Sequence, residues 1–340
     1  MHSGPRPLTS RTVETDDTLR GVEQPADLLD RMSVYHAGWV EPDRLSADHR
    51  VGRRLRPALM YWVVEACGGT LEAALPAACA VELVHNFTLV HDDVQDRDHL
   101  RRGWPTAWSV CGDAQTINAG DAMSAAAIAA LLAVPSTEPS EQLRRAQAAA
   151  ALLRAEVEVI DEQTLELEYE RRPDTPSATY LRMIEAKTGA LLGASMELGA
   201  IVAGADPRVQ EALRRAGRLL GVAFQLRDDW LGTWGEPEQT GKSKENDLTW
   251  RKLTYPVVRA YETADVDRRE ELAMLYRTRG PREEPRIRRL LEELGGPDLT
   301  AGSSADAAQR ALREIQGCGF DGTRMKELGD VACYLAQRNR

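Results

Sequence analysis

Apolar residues recur at helical spacing along almost the whole chain, as in "ALPAACAVELVHNFTLV" (74–90) and "MIEAKTGALLGASMELGAIVAG" (183–204), and few segments alternate with period two. A chain written this way can only fold as nearly all α. Breaks rich in Gly, Pro or Ser fall at Gly68-Gly69, Gly103 to Pro105, Pro135 to Pro139, Arg172 to Pro176, Gly204 to Pro207, Gly232 to Gly241 and Gly280 to Pro285. They cut the sequence into helices of ordinary or long length. No repeat of fixed period is present, and no shift in composition marks a second domain. The expectation is a mobile N-terminal tail over residues 1–30, polar and without the apolar core of a signal peptide, followed by one large helical bundle over 31–340.

Composition excludes several functions. With 340 residues and 43% hydrophobic ones the chain can bury a sizeable core, and its longest small apolar run, "SAAAIAALLAV" (124–134), is shorter than the roughly 20 residues a bilayer requires. No membrane span is expected. A formal net charge of -10 repels nucleic acid, so an anionic substrate would need local basic groups or metal ions. The five cysteines, Cys67, Cys79, Cys111, Cys318 and Cys333, form no CxxC pair and have no His at metal-ligand spacing. A reducing, cytoplasmic setting fits them. The segment 276–296 mixes arginines with acids and reads as a solvated face.

One stretch departs from this even texture. In "HNFTLVHDDVQDRDHLRRGWPT" (85–106), Asp92 and Asp96 lie four apart, so on a helix their carboxylates project from one face, one turn or ~6 Å from each other. Like charges so placed repel unless something positive lies between them. Oxygen ligands with no Cys or His nearby favour Mg²⁺, which keeps waters and is shared with substrate phosphates. An isolated acidic pair is ordinarily an exposed helix end, but this pair has a counterpart: "FQLRDDWLG" (224–232) places Asp228 and Asp229 at the end of a second apolar helical run. Two such clusters facing one another could hold Mg²⁺ around one diphosphate and stabilise it as a leaving group, the organic fragment departing as an allylic cation.

Basic residues gather in "GRRLRP" (52–57), "RRGWPT" (101–106), "KT" (187–188), "GKSKENDL" and "RKLTYP" (up to 256). Each alone is a common surface feature. Taken in order with both aspartate clusters, and with Gly120-Asp121, "KTG", "FQLRDD" and "TGKSKENDL", they resemble the motif series of the trans-isoprenyl diphosphate synthases, from about Tyr35 to the C-terminus. The resemblance implies an all-α isoprenoid synthase bundle around a central cavity, working as a homodimer. It assigns Asp92, Asp93, Asp96, Asp228 and Asp229 to Mg²⁺ and, through it, to the allylic diphosphate. Arg101, Lys187 and Lys242 would touch that diphosphate directly, and Arg53, Arg56, His85 and Arg102 would hold isopentenyl diphosphate. Thr188 and Gln225 would face the reacting carbons, and Lys252 would close over the site. The implied reaction ionises, condenses and eliminates, with no side-chain nucleophile, and the sequence contains no convincing Ser-His-Asp or Cys-His arrangement.

The chain departs from the family pattern in its first basic motif, where Val51 also stands in place of the usual glycine, and in its second aspartate cluster. Arg53 stands where the family has lysine, the second cluster ends in Gly232 where a third Asp is usual, and Trp230 could be either helix packing or an aromatic wall for a cation. Phe87 lies five residues before Asp92, about 7.5 Å along the helix, with the small Thr88 beside it. That placement resembles synthases that stop at twenty carbons, with Phe87 as the floor. Two other readings remain for the same motifs. A class I terpene cyclase would need the aspartates but not Arg53, Arg56, His85 and Arg102, and only 5% of the residues are aromatic. A non-catalytic subunit of a prenyltransferase complex would be expected to lose an aspartate cluster.

Overall fold

The computed structural model describes residues 54–101, 103–133, 137–169, 172–235, 247–277 and 280–338. The tail over 1–30, Arg53, Arg102 and Lys242 lie outside the described residues. The expectation of an all-α chain is borne out: among the described residues the only strands are β1 (Leu100–Arg101) and β2 (Trp104–Pro105), a two-residue antiparallel ladder. The sequence reads as a plain loop there. The ladder forms because Gly103 takes φ +80°, which closes a tight turn between Arg101 and Trp104.

Two compact units divide the chain. One runs through Glu156 and includes Ala194–Arg214; the other takes Val157–Gly193 and everything from Arg215 onward. In the first unit α1 (Leu55–Ala66) is buried all round, with Leu59 to Val64 almost wholly inaccessible, as expected of a helix with no polar face. Arg54 caps it with a left-handed backbone, and its guanidinium pairs with buried Glu82 at 2.5 Å. Glu82 belongs to α2 (Leu71–Asp96), which begins at Thr70, whose hydroxyl accepts the Ala73 N–H. By length and composition α2 could cross a membrane, yet 56% of its apolar window is buried inside the protein, the mark of a core helix. After the ladder come α3 (Ala107–Cys111) and α4 (Asp113–Leu132). Gly120 lets α4 approach α2: a Cβ at that position would overlap the His91 ring, whose Nε2 lies 3.1 Å from the Ile117 carbonyl.

The long α5 (Pro139–Tyr169) leads to α6 (Ser177–Ile184), a π-helical turn (Glu185–Gly189), α7 (Ala190–Val202) and α8 (Pro207–Trp234). The sequence over 183–204 reads as one regular helix, whereas Lys187 and Thr188 occupy the wider π turn, a local insertion common at functional sites. In the second unit that turn lies directly on α8. A Cβ at Gly189 would come 2.8 Å from the Arg218 carbonyl, one at Gly217 would come 2.5 Å from the Leu192 carbonyl, and one at Gly221 would be driven into the Gly189 backbone. Backbone meets backbone at this crossing, which holds Thr188 beside Gln225.

The same unit is completed by α9 (Asp247–Trp250), α10 (Tyr255–Thr263), α11 (Val266–Tyr276), α12 (Glu284–Glu293), α13 (Gly296–Glu314) and α14 (Gly322–Gln337). Leu248, Val257, Leu272, Ile287, Leu290 and Leu291 form its core, with Trp234 packed against them. The charge-dense α12 carries Arg286 and Arg288 in ion pairs, Arg286 making two 2.6 Å bonds to Glu271 and Arg288 pairing with Glu284.

The glycine crossing gives a stability test. Gly221→Ala should destabilise by about 1–3 kcal/mol, because the obstruction is backbone and cannot rotate away. Gly302→Ala, on exposed α13 with open space around the new methyl, should stabilise by about 0.5–1 kcal/mol. Thermal unfolding of both variants checks the pair, and a neutral Gly221→Ala would mean the crossing yields.

Candidate active site

The first acidic cluster ends α2. Its last turn holds Asp92, Asp93 and Asp96 and no basic residue, although the negative end of a helix dipole disfavours acids there. The three differ in exposure: Asp92 is half-buried, Asp96 is exposed, and Asp93 is fully buried. Arg101, on β1, turns back onto Asp93, its Nε donating at 2.7 Å and its Nη2 lying 2.6 Å from the same Oδ1. Burial pushes the Asp93 carboxyl up, and the Arg101 bond and charge pull against it. The Asp93 Oδ2 is buried with no hydrogen-bond partner. The hairpin is fixed by other contacts: Thr106 Oγ1 and Trp108 Nε1 both donate to the Asp98 carbonyl, at 2.7 and 2.9 Å.

Earlier along α2, Phe87 is 7% exposed and sits edge-on to His91, ring centroids 4.8 Å apart. The Thr88 hydroxyl donates to the His85 carbonyl at 2.8 Å, and His85 itself is half-buried. Of the arginines in "RRLRP", Arg56 is half-buried, while Arg54, which the sequence reading passes over, is the one turned inward onto Glu82.

The second unit organises its residues around a buried carboxylate. Asp229 accepts from Gln225 Nε2 at 3.0 Å on Oδ1, and from the Tyr180 hydroxyl at 2.6 Å and the Tyr255 N–H at 3.0 Å on Oδ2. Burial pushes it up to about 7 despite these donors, with Asp247 adding repulsion. Tyr180, buried and facing that acid, is raised well above the usual phenol range. Gln225, so oriented, presents Oε1 to the Thr188 hydroxyl, which donates at 3.0 Å. Lys187, next in the π turn, donates to Gln163 Oε1 at 2.7 Å and pairs with Glu166. The neighbouring Asp228 is part-exposed and pairs with Arg338.

The carboxylate of Asp247 occupies the volume a residue-232 side chain would fill, so that a Cβ on Gly232 would fall on its Oδ2. The acid missing from the second cluster thus has a neighbour standing in its space, which only the fold reveals. Lys252 is exposed, its backbone N–H bonded to the Asp247 carbonyl at 3.0 Å. Its neighbour Arg251 is completely buried with φ 56°, donating to the carbonyls of Leu275 and Gly280 at 3.0 and 3.1 Å. Trp230 carries the Arg227 guanidinium 4.1 Å over its ring and packs near Trp234.

The donor set fits a divalent cation in part. Among the described residues no three His, Cys, Asp or Glu side chains gather into a cage. Mg²⁺ commonly takes only one or two carboxylates and completes its shell with water and phosphate. The concentrated acids at the end of α2, whose last turn holds no basic residue, and the orphaned Asp93 oxygen suit such an ion. Asp229 suits it poorly, since both of its oxygens already accept from protein donors.

Comparison with known proteins gives the chain a family. The family model described as polyprenyl synthetase matches residues 46–294. A (2E,6E)-farnesyl diphosphate synthase of Mycobacterium tuberculosis is 37% identical over 326 residues, covering 93% of this chain and 89% of the relative. A geranylgeranyl diphosphate synthase of the same organism is 43% identical over 260 residues, covering 76% of this chain and 72% of the relative. Among solved structures, a polyprenyl synthetase from Streptomyces coelicolor A3(2) aligns with a TM-score of 0.88 at 33% identity, over 96% of this chain and 98% of that one.

The Asp229 anchor makes a pH-dependent prediction. Because folding raises this acid from 3.8 to about 7, the folded state holds its proton more tightly, and its contribution to stability falls as pH climbs through that window. Tyr180→Phe removes a donor to the charged form, so it should cost about 1.5–3 kcal/mol above that window and less below it. Urea unfolding at several pH values measures this, and a cost independent of pH would contradict the assignment.

Proposed function

Since the chain belongs to the polyprenyl synthetase family of prenyltransferases, we propose that it condenses isopentenyl diphosphate with allylic diphosphates (dimethylallyl, geranyl, farnesyl) to give a short all-trans prenyl diphosphate, most specifically geranylgeranyl diphosphate. The observation that carries this reading is the chain of bonds from Asp229 through Gln225 to Thr188, with Lys187 adjacent on the π turn. It fixes an amide oxygen and a hydroxyl oxygen next to an ammonium group. Such an arrangement suits a reaction in which a diphosphate departs from a carbon that becomes positive.

In this mechanism Lys187, with Lys242 and Arg101, holds the allylic diphosphate, while Arg53, Arg56, His85 and Arg102 hold isopentenyl diphosphate. The allylic C–O bond breaks, the isopentenyl double bond attacks the freed carbon, and the proton lost from the new cation goes to the released pyrophosphate. Thr188 has already donated its hydrogen to Gln225, so its oxygen lone pairs are turned toward whatever lies in front of it. They stabilise the cation without trapping it. Arg101 has a second duty: its bond to Asp93 orients the end of α2. Asp92, Asp96 and Asp228, with Asp93 behind the first two, would hold Mg²⁺, and Asp229 serves as the fixed anchor behind Gln225. When bound, the ion supplies positive charge that neutralises the departing diphosphate.

Phe87, buried and braced by His91, is the proposed floor of the chain pocket. The relatives named for both fifteen- and twenty-carbon products are compatible with a short chain. A homodimer is part of the reading, supported by Val157, Ile160 and Leu167, exposed at spacings of three and seven on α5. So is a cytoplasmic location, in keeping with five cysteines that are all free thiols.

The deciding experiment is mass-spectrometric product analysis with Mg²⁺, dimethylallyl diphosphate and isopentenyl diphosphate. A linear twenty-carbon diphosphate is expected; no elongation, with a cyclic hydrocarbon formed from a ready-made prenyl diphosphate, would make the protein a cyclase. Phe87→Ala should lengthen the product, and an unchanged chain would remove Phe87 as the floor. Asp92→Ala should lower turnover by orders of magnitude while the circular dichroism spectrum persists; retained activity would defeat the metal assignment. Ile160→Asp should move the light-scattering mass from dimer to monomer.

A further inference from the structure

Three glutamates lie one turn apart along α5: Glu158, Glu162 and Glu166. The outer two have cations. Glu158 pairs with Arg218, which also donates to Glu185 at 2.8 Å, and Glu166 pairs with Lys187. The middle one is different. Glu162 is 4% exposed, and its Oε1 is buried with no hydrogen-bond partner. A carboxylate in that state is costly unless it keeps its proton or meets a nearby positive charge. The charged groups that act on it are Glu166 on its own helix and Lys187 on the π turn; Glu158, one turn back along α5, and Glu185 on the π turn are paired with Arg218 of α8. Arg218 is committed to Glu158 and Glu185, which leaves Lys187 as the cation that Glu162 feels.

We infer that Glu162 is a positioning residue for Lys187: its charge state decides how strongly the acids of α5 hold the Lys187 ammonium against a bound diphosphate. The inference rests on the reading that Lys187 holds the substrate diphosphate. With Glu162 neutral, Glu166 is the carboxylate with which an incoming diphosphate competes for the ammonium, beside the neutral Gln163 oxygen. With Glu162 charged, it competes with two carboxylates and is itself repelled by the second. Burial first, then the repulsion of Glu166, raises the Glu162 carboxyl to about 7 against the pull of Lys187. Its charge therefore changes within the neutral range, and affinity for the diphosphate should fall as pH rises through it. Glu162 touches no reacting atom in this scheme, so its effect belongs in KM and not in kcat.

The test compares full-length wild type, Glu162→Gln and Glu162→Ala with saturating Mg²⁺, measuring KM and kcat for geranyl diphosphate between about pH 6 and about pH 8.5. Dividing the wild-type KM by the variant KM cancels the titration of the substrate phosphates. That ratio should climb about three- to tenfold across the range while the kcat ratio stays flat. A KM ratio constant within about twofold overturns the inference. So does a Glu162→Ala variant that keeps the wild-type slope, because it lacks the charge entirely. Calorimetric binding of inorganic pyrophosphate over the same range needs no turnover and should give the same climbing ratio. If it does so in a protein that elongates no prenyl chain, the catalytic reading fails and the role of Glu162 stands. A flat ratio in an active enzyme fails Glu162 alone.

Discussion

A buried carboxylate organises the second unit. Asp229 has no water to solvate it, so its charge must be met by protein donors, and the three that meet it come from α6, α8 and the start of α10. The requirement is geometric as well as electrostatic: each donor has to arrive within hydrogen-bond reach at a fixed angle, which ties three helices to one point. Gln225 is the useful member of the set. Satisfying Asp229 with its amide nitrogen leaves its oxygen no choice but to face Thr188. A stability constraint in the interior thereby becomes an orientation at the surface of the site.

The charged motifs divide their labour in a similar way. Arg54 and Arg251 both adopt left-handed backbones, both are buried, and both spend their guanidinium groups on their own chain: Arg54 on Glu82, Arg251 on carbonyls at the ends of α9 and α11 and the loop that follows. Their neighbours Arg56 and Lys252 remain at least partly accessible. One member of each basic pair holds the motif in place, and in the proposed reading the other faces the substrate. Arginine suits the inward role because its five donors in a rigid fork can satisfy several carbonyls at once.

The helical class was legible because a period of 3.6 persists over hundreds of residues, and the two aspartate clusters were legible because repelling acids so close together need a reason. Less could be read where the reason lies in tertiary contact. The π turn at Lys187 and Thr188 depends on Gly189 meeting the Arg218 backbone, which no local pattern encodes. Arg54 is indistinguishable from Arg53 and Arg56 in a basic run until Glu82, a helix away, is placed beside it. The inequality of Asp228 and Asp229 is likewise invisible, since adjacent identical letters point about 100° apart around a helix and meet different surroundings. Glu162 drew no notice because an acid every fourth residue on a long polar helix is the usual dress of a solvated face.

Gly232 looked like a loss, a motif one carboxylate short. The Asp247 side chain fills the very space that a larger residue there would need, so the two positions are a matched pair. An aspartate written back into position 232 would oblige the Asp247 side chain to turn away from its present place. The two sites are coupled through space: with Asp247 turned as it is, position 232 has room only for glycine, and any larger residue there sets the direction in which the Asp247 carboxylate can point.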